Sequence, residues 1–345
     1  MEIPLKLAGR DRVVLYKNNI VEKPLVSVSV VTYKHEQYIK QCLDGILMQK
    51  TNFEFEILLG EDDSPDKTRE ICIEYANKFP KKIRLFLHDR SNVIYINGSP
   101  TGRYNSLYNL TNARGKYIAL CEGDDYWTDP LKLQKQVDFL EKNEDVGLVH
   151  SDFDWYFVKG NKMINNYYKS VQFYFPLKYN VREYLDRPLI RTMTVLFRAK
   201  NMIGFWDVVN SRNWLSADFP LFCYVSKENL IGYIDESLGV YRRGLETASS
   251  NESIRKKYEF GKNALEIRYF FYNLLGYKDE IILNNLKMEY LKIEINYNLI
   301  SNNYKQLLNL LSKESIKNKF LFFIVLSNIL ISLIKGKFKS VLNLL

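Results

Sequence analysis

The sequence has 345 residues, of which 46% are hydrophobic and 26% are charged, which is typical of a globular protein with one large domain or two. The four cysteines and three histidines have neither metal-ligand nor redox spacing, which argues against a zinc site and favours reduced thiols in a cytoplasmic protein. Residues 1–11 lack the apolar segment of a signal peptide.

The positive charge is concentrated in the last quarter of the chain. The formal net charge is +9, and residues 254–345 contain fifteen basic and seven acidic residues, an excess of eight positive charges. Such an excess indicates contact with nucleic acid or with an anionic membrane surface. Because no nucleic-acid-binding module is recognisable, we expect no nucleic-acid partner.

Strands alternate with helices along the first 140 residues. Apolar, β-branched runs predict strands at 25–31, 53–60, 83–87 and 117–121. Apolar residues at helical spacing predict helices at 38–48, 68–79, 104–113 and 131–140. This alternation predicts an α/β fold with a Rossmann-like, mostly parallel sheet flanked by helices.

The remainder of the chain divides into further α/β elements and a helical tail. Strands are predicted at 146–150, 155–158, 191–197 and 231–234, with a helix at 217–226. Small polar residues at 246–251 are typical of a linker, and amphipathic helices follow it. We therefore predict an N-terminal arm at 1–23, an α/β domain at 24–245 and an α-helical C-terminal region at 246–345.

The most informative stretch is an acidic turn after the fourth strand. Glu122, Asp124 and Asp125 must lie beyond the C-terminal end of that strand, which is the ligand-binding edge of an open α/β sheet. Closely spaced carboxylates repel one another unless a cation or a proton neutralises them, and their oxygens favour Mg²⁺ or Mn²⁺ bridged to phosphates. The alternative is an acidic surface turn in which an aspartate caps the next helix.

A second acidic turn, residues 61–63, follows the second strand and is expected at the same sheet edge. One of its carboxylates would accept a hydrogen bond from a nucleobase N–H. Ser64 or Asp66, which follow it, would also be explained as caps of the next helix. Arg103, at the end of a long polar loop, supplies a guanidinium suited to a diphosphate.

Four stretches together resemble family-2 glycosyltransferases, the inverting nucleotide-sugar transferases of the GT-A fold. They are the first strand and turn at 26–33, the acidic turn at 61–68, the Gly-Arg-Tyr-Asn and Ala-Arg-Gly-Lys-Tyr-Ile segments at 102–105 and 113–118, and the acidic turn and helix at 122–134. The resemblance spans about residues 24–245, and the order and spacing of the stretches make it specific. It implies a GT-A domain.

The resemblance also implies roles for individual residues. Asp124 is the expected ligand of a divalent metal, Mn²⁺ or Mg²⁺, and Asp218 is the expected general base, with a helix N-cap as its alternative role. The expected nucleotide-sugar-binding residues are Thr32, Tyr33, Asp62, Asp63, Arg103, Glu122, Asp125 and Arg242. Within this set, Asp62 would contact the base, Arg103 the diphosphate and Glu122 the ribose, and Asp125 would support Asp124.

Three positions depart from the family pattern. Lys34 replaces an asparagine, Glu122 replaces an aspartate, and Gly244 occupies the place of a histidine that assists the metal or the diphosphate. Arg242 or Arg243 would compensate for the missing histidine electrostatically.

The resemblance implies transfer of a sugar from a nucleoside-diphosphate donor, first of all a UDP-sugar, to a glycan or lipid-linked acceptor in cell-surface polysaccharide synthesis. Asp218 would remove the acceptor proton, and a single displacement would invert the anomeric carbon. A sugar nucleotidyltransferase remains an alternative, although residues 32–36 lack its Gly-rich signature. A non-catalytic scaffold on a degenerate GT-A fold is the other alternative.

An apolar run of 15 residues at 320–334 lies between lysines and is shorter than the ~20 residues of a membrane-spanning helix. It predicts either a core helix of a small helical domain or an interfacial anchor on an anionic membrane surface. The anchor would make the protein cytoplasmic and peripheral on the inner face of the cell membrane.

Overall fold

The computed structural model describes residues 12–20, 23–244 and 254–301. Contacts divide the chain into two compact units, Met1–Ala248 and Ser249–Leu345. The first unit contains the sheet and the candidate site, and the described part of the second unit is helical.

The strands of the first unit are β1 Val13–Leu15, β2 Val26–Thr32, β3 Phe55–Glu61, β4 Ile83–His88, β5 Ile94–Ile96, β6 Ser99–Thr101, β7 Tyr117–Glu122, β8 Tyr126–Trp127, β9 Val146–Phe157, β10 Lys162–Ile164, β11 Lys178–Tyr179, β12 Leu196–Arg198 and β13 Leu230–Arg243. Its helices are α1 Ile39–Leu47, α2 Thr68–Lys78, α3 Arg103–Thr111, α4 Lys132–Lys142, α5 Tyr167–Ser170, α6 Val181–Asp186, α7 Phe205–Asn210 and α8 Asp218–Val225. Single 3-10 turns occur at Arg90–Asn92, Thr192–Thr194 and Ala199–Met202.

The main sheet has the strand order β1-β4-β3-β2-β7-β12-β9-β13-β11, with β10 paired to β9 and β8 paired to β13. The strands β4, β3, β2 and β7 are parallel to one another, and β9 is parallel to β13. The short strand β12 is antiparallel to both β7 and β9, and it joins the two parallel blocks. The predicted mostly parallel sheet flanked by helices is confirmed.

The central strands are buried on both faces, as is usual in a parallel sheet covered by helices. All seven residues of β3 are buried, and β2 is buried at six of its seven positions. The buried carboxylate of Glu56 in β3 accepts hydrogen bonds from Ser27, Arg84 and Arg114. These partners compensate for the removal of its charge from water.

Three segments differ from the sequence prediction. The strands predicted at 146–150 and 155–158 form the single strand β9, because the Asp152 carboxylate in its middle accepts the backbone N–H of Phe153 and of Tyr168. The strand predicted at 191–197 begins as a 3-10 turn in which the Thr194 hydroxyl bonds the carbonyl of Arg191. The strand predicted at 231–234 is part of the longer strand β13, whose register relative to β9 shifts around the exposed residues 235 and 236.

Two further details lay outside the prediction. Residues 13–15 of the predicted arm form β1, which pairs with β4 at the sheet edge. The long polar loop contains the hairpin of β5 and β6.

The described part of the second unit, residues 254–301, contains two helices of 21 residues each, α9 Ile254–Leu274 and α10 Glu280–Ile300. Tyr258 stacks on Tyr297 with ring centroids 4.0 Å apart, and Arg268 forms an ion pair with Glu289, so the two helices run antiparallel. The predicted helical character is confirmed for this part. The apolar run at 320–334 lies outside the described residues. Within residues 12–20, 23–244 and 254–301, no helix combines the length and apolarity needed to span a membrane.

Candidate active site

The two acidic turns lie at one edge of the sheet. The strand β2 runs between β3 and β7, with Thr32 opposite Glu61 and Val31 opposite Glu122. Because all three strands are parallel, the turns at 61–63 and 122–125 leave the sheet side by side. This is the edge at which open α/β sheets bind ligands.

Asp125 and Arg242 fix the conformation of the turn after β7. The buried Asp125 carboxylate accepts the backbone N–H of Arg242 at 2.8 Å. The Arg242 guanidinium donates to the carbonyl oxygen of Asp124 and to Gln41, and it stacks 4.3 Å from the Tyr126 ring centroid. Burial, followed by the charges of neighbouring carboxylates, holds the pKa of Asp125 well above its usual range. Asp125 therefore supports the turn that presents Asp124.

Glu122 connects the acidic turn to Asp218. Burial, together with the charges of Asp124 and Asp218, raises the pKa of Glu122 to about 8, while a hydrogen bond with Thr192 opposes the shift. The structure thus brings Asp218 near two carboxylates that precede it in the chain by more than 90 residues. Their mutual repulsion favours binding of a cation or a proton.

Asp218 begins α8 and is held by three hydrogen bonds. Its Oδ1 accepts the backbone N–H of Phe219 at 2.8 Å and the hydroxyl of Ser216, and its Oδ2 accepts the Thr192 hydroxyl at 3.2 Å. The N-cap of α8 is the preceding residue, Ala217, and no side chain caps the helix, so Asp218 lies in the first turn of α8 and not at its cap. Its charge acts on Glu122, as expected for a carboxylate that lies near the acidic turn.

His35 lies beside Asp124 and was not predicted to belong to the site. Its Nε2 lies 4.0 Å from Asp124 Oδ2, and its Nδ1 lies 3.2 Å from Thr32 Oγ1. Its backbone N–H donates to the hydroxyl of Thr68 at 2.8 Å. A Cβ added at Gly123 would lie 2.7 Å from Thr32 Oγ1 and 2.9 Å from His35 Nδ1, so only glycine allows this approach.

The predicted metal ion is compatible with these donors. Among the residues that the structure describes, no group of three or more His, Cys, Asp or Glu side chains is arranged to hold a metal. Asp124 and His35 are two adjacent donors, and Mg²⁺ or Mn²⁺ commonly completes its shell with water and substrate phosphates. Burial lowers the pKa of His35, while Asp124 opposes this shift, which favours the neutral imidazole that binds metals.

The turn after β3 forms a second part of the site. Asp62 accepts a hydrogen bond from Arg90 at 2.6 Å on Oδ2, and its buried Oδ1 has no hydrogen-bond partner among the described residues. Burial raises the pKa of Asp62 to about 6, with Arg90 opposing the shift. The Arg90 guanidinium also lies 4.2 Å from the Tyr33 ring centroid, and Asp63 forms an ion pair with Arg69 at 3.2 Å. The open Oδ1 is a ready acceptor for an N–H donor.

Arg103 is oriented toward the protein backbone. Only 6% of its surface is exposed, and its guanidinium donates to the carbonyl oxygens of Val209, Arg212 and Trp214. Burial lowers the pKa of Arg103 to about 10. Because the segment 209–214 leads directly into α8, these bonds fix the approach of the chain to Asp218.

Two departures from the family pattern have a backbone explanation. Lys34 has a φ of +59°, a left-handed conformation that asparagine adopts more readily than most residues, and its N–H donates to Ser64 Oγ at 3.0 Å. Gly244 has a φ of +94°. A histidine at that position would be strained in this conformation, since it carries a Cβ.

Sequence reasoning missed His35, Arg90 and Thr192. His35 directly follows the turn after β2, and Arg90 directly follows β4, so the rule that parallel strands end at one edge could have found both. Thr192 carries no such signal. It reaches the site through the antiparallel connection to β12, which the sequence pattern did not reveal.

Comparison with known proteins agrees with this geometry. The family model for glycosyl transferase family 2 matches residues 27–202, just over half of the chain. An uncharacterized protein of Mycobacterium tuberculosis is 31% identical over 218 residues, which are 63% of this chain and 58% of that protein. The minor teichoic acid biosynthesis protein GgaA of Bacillus subtilis is 25% identical over 241 residues, which are 65% of this chain and 48% of that protein. The chain thus spans roughly half to three fifths of these relatives.

The fold has a counterpart among solved structures. The mannosyltransferase PcManGT from Pyrobaculum calidifontis, solved in complex with GDP-Man and Mn²⁺, superposes with a TM-score of 0.50. The match covers 90% of this chain and 81% of that chain at 13% sequence identity, a level that establishes the fold alone. The predicted GT-A fold is confirmed. Together with the family match over residues 27–202, these findings show that the chain belongs to glycosyl transferase family 2.

Proposed function

We propose that this chain transfers a sugar from a nucleoside-diphosphate donor to an acceptor hydroxyl with inversion at the anomeric carbon. The observation that supports it most directly is the cluster of Glu122, Asp124 and Asp218 at the ligand-binding edge of the sheet. Family membership and the GDP-Man complex of PcManGT support a nucleotide-sugar donor. The catalytic domain in this proposal extends over residues 24–245.

The turn after β3 would recognise the nucleobase. Asp62 Oδ1 is buried and open, so it can accept an imide or amide N–H, and the adjacent Arg90 keeps the carboxylate charged. Tyr33 and Arg90 form the adjoining stacked surface, while Thr32 and Asp63 shape the turns on either side. The imide N–H of uracil suits this acceptor, which favours a UDP-sugar.

The turn after β7 would hold the diphosphate end of the donor. Asp124 and His35 are the protein ligands available to Mn²⁺ or Mg²⁺, and such an ion, when bound, offsets the charge that develops on the leaving diphosphate. Asp125 and Arg242 keep Asp124 in position. Arg103 would act on the site by fixing residues 209–214 rather than by direct contact.

Asp218 would act as the general base. With a pKa of about 8, Glu122 is protonated at neutral pH, which removes one negative charge from the space between Asp124 and Asp218. The Asp218 carboxylate then accepts the proton of the acceptor hydroxyl as its oxygen attacks the anomeric carbon. Thr192 and Ser216 hold the carboxylate in a fixed orientation during that transfer.

The biological setting is also a proposal. The similarity to GgaA, a minor teichoic acid biosynthesis protein, supports cell-surface polysaccharide synthesis on a glycan or lipid-linked acceptor. The basic region 254–345 would dock the protein on the anionic inner face of the membrane. Co-sedimentation with anionic vesicles at low salt tests this part. Protein that stays in the supernatant would contradict the membrane role while leaving the transfer reaction intact.

A panel of nucleotide sugars with Mn²⁺ tests the central proposal. We expect release of a nucleoside diphosphate from at least one donor, with nuclear magnetic resonance showing the opposite anomer in the product. Release of pyrophosphate would instead indicate a nucleotidyltransferase. If the protein binds a nucleotide sugar tightly but forms no product with any of a range of hydroxyl acceptors, it would be a non-catalytic scaffold.

A further inference from the structure

An aromatic cluster borders the carboxylates on the side of β9 and β13. We define it as Phe153 and Trp155 on β9, Tyr167 on α5, and Tyr241 on β13. The Trp155 ring centroid lies 4.5 Å from that of Tyr167 and 5.8 Å from that of Tyr241, and the Phe153 centroid lies 5.2 Å from that of Tyr167. Trp155 Nε1 is buried and has no hydrogen-bond partner among the described residues.

Arg191 lies on this cluster and differs from the other buried or half-buried arginines of the site. Its guanidinium carbon lies 5.3 Å from the Trp155 ring centroid and 5.2 Å from that of Tyr241. Arg103 and Arg242 donate to backbone carbonyls, whereas the Arg191 side chain has no hydrogen bond or ion pair to any part of the chain that the structure describes. Stacking on the rings fixes the plane of the guanidinium and leaves its donors available.

The position of Arg191 relates it to the reaction centre. The next residue, Thr192, bonds Asp218, and Tyr241 immediately precedes Arg242, whose N–H bonds Asp125. Burial raises the pKa of Tyr241, Arg191 lowers it, and Asp125, Glu122 and Asp124 raise it further, so the phenol lies near charges of both signs. The guanidinium therefore lies against a ring that is itself near the carboxylates.

We propose that Arg191 binds a phosphate-type oxyanion carried by the acceptor, with the aromatic cluster supporting the sugar or polyol next to it. The inference rests on the proposed function, because it assigns the acceptor side of that same site. An anionic acceptor would be repelled by Asp124 and Asp218, and a fixed guanidinium with open donors offsets this repulsion. Its planar donor edge matches the two oxygens of a phosphate.

The test uses glycerol 3-phosphate as the charged probe and glycerol as the uncharged one. Binding to the full-length protein is followed by nuclear magnetic resonance, with wild type, Arg191→Gln and Arg191→Lys compared. The matched control is Arg187→Gln, since Arg187 also stacks on a ring, that of Phe173 at 5.5 Å, and is exposed outside the site. We expect glycerol 3-phosphate to bind wild type and the control equally, and glycerol to bind neither.

Arg191→Gln should weaken glycerol 3-phosphate binding ~10-fold or more, as expected for loss of charge-assisted hydrogen bonds. Arg191→Lys should show a smaller loss, and it decides the question if Arg191→Gln does not fold. Unchanged binding of glycerol 3-phosphate to a folded Arg191 variant would overturn the inference. A variant that loses affinity for UDP but still binds glycerol 3-phosphate would also overturn the inference, because Arg191 would then bind the donor diphosphate.

Release of a nucleoside diphosphate from the donor, with water as acceptor, is measured in parallel on the wild type. Absence of that release from every donor would refute the proposed function itself. If wild type and Arg191→Gln both release the nucleoside diphosphate and bind glycerol 3-phosphate equally well, only the role of Arg191 would be refuted.

Discussion

The two halves of the candidate active site differ in whether their carboxylates are paired with cations. After β3 and β4, Asp62 lies 2.6 Å from Arg90 and Asp63 lies 3.2 Å from Arg69, so the acidic groups are paired with cations. Between β7 and α8, Glu122, Asp124 and Asp218 lie near one another. Within the described residues, His35 is the one basic side chain within 4.0 Å of any of these three carboxylates, and burial favours its neutral form.

Under the proposed function, this difference would separate recognition from chemistry. The acidic groups of the paired half already have partners, apart from one buried oxygen of Asp62, and such a half would be preorganised to bind the donor. In the unpaired half the carboxylates repel one another, and binding of a cation or uptake of a proton relieves this repulsion. Substitutions in the unpaired half should therefore affect turnover, and substitutions in the paired half should affect affinity.

The largest effect is expected for Asp218→Asn. The amide keeps the size of the side chain and can still accept the N–H of Phe219, but it cannot take a proton from the acceptor. Transfer should fall ~10²–10⁴-fold with nucleotide affinity unchanged, as measured by initial rates and calorimetry. Asp207→Asn in the first turn of α7 is the matched control. Transfer at the wild-type rate would contradict the general-base role of Asp218.

The next effect concerns the metal. Asp124→Asn should weaken Mn²⁺-dependent UDP binding by ~10²-fold, since loss even of a residue that supports a metal ligand costs ~10–100-fold. His35→Asn should show a smaller loss. Calorimetry in Mn²⁺ and in EDTA measures both, with Asp129→Asn, which removes an ion pair to Lys135, as control. Equal UDP affinity in Mn²⁺ and EDTA for the wild type would contradict the metal role.

A smaller effect is expected in the paired half. Asp62→Asn should weaken UDP binding ~10-fold, because it removes a charged acceptor from the base and leaves Arg90 without its pair. Inorganic pyrophosphate serves as the internal control ligand, and its affinity should not change. If UDP and pyrophosphate lose affinity equally, Asp62 does not act at the nucleobase.

The smallest effect is a dependence of stability on pH. Because burial raises the pKa of Glu122 from 4.5 to about 8, the folded state binds more protons than the unfolded state in that interval. The free energy of unfolding should therefore contain a contribution that declines as pH rises from about 4.5 to about 8. Urea unfolding at both ends of the interval should show a shallower decline for Glu122→Gln. An identical decline in variant and wild type would contradict the shift.

The first half of the fold was predictable because its signals are local. The strands β2, β3 and β7 are rich in apolar residues, and each ends at a polar residue, Thr32, Glu61 or Glu122. From strand direction alone it followed that the two acidic turns meet at one edge. The later strands were harder to predict because they contain buried polar residues whose partners lie elsewhere in the chain. In β9, for example, the Asp152 carboxylate accepts the backbone N–H of Tyr168.

For this protein, the sequence alone determined the family, the GT-A fold and the acidic turns with their candidate residues, because these depend on apolar periodicity and short motifs. The tertiary structure decided which partner each charged group has. In the folded chain, Arg103 and Arg242 donate to backbone carbonyls. His35 lies next to Asp124, and Asp218 lies near Glu122. A charged side chain takes its partner from whichever element packs against it, and that partner has no fixed spacing in the chain.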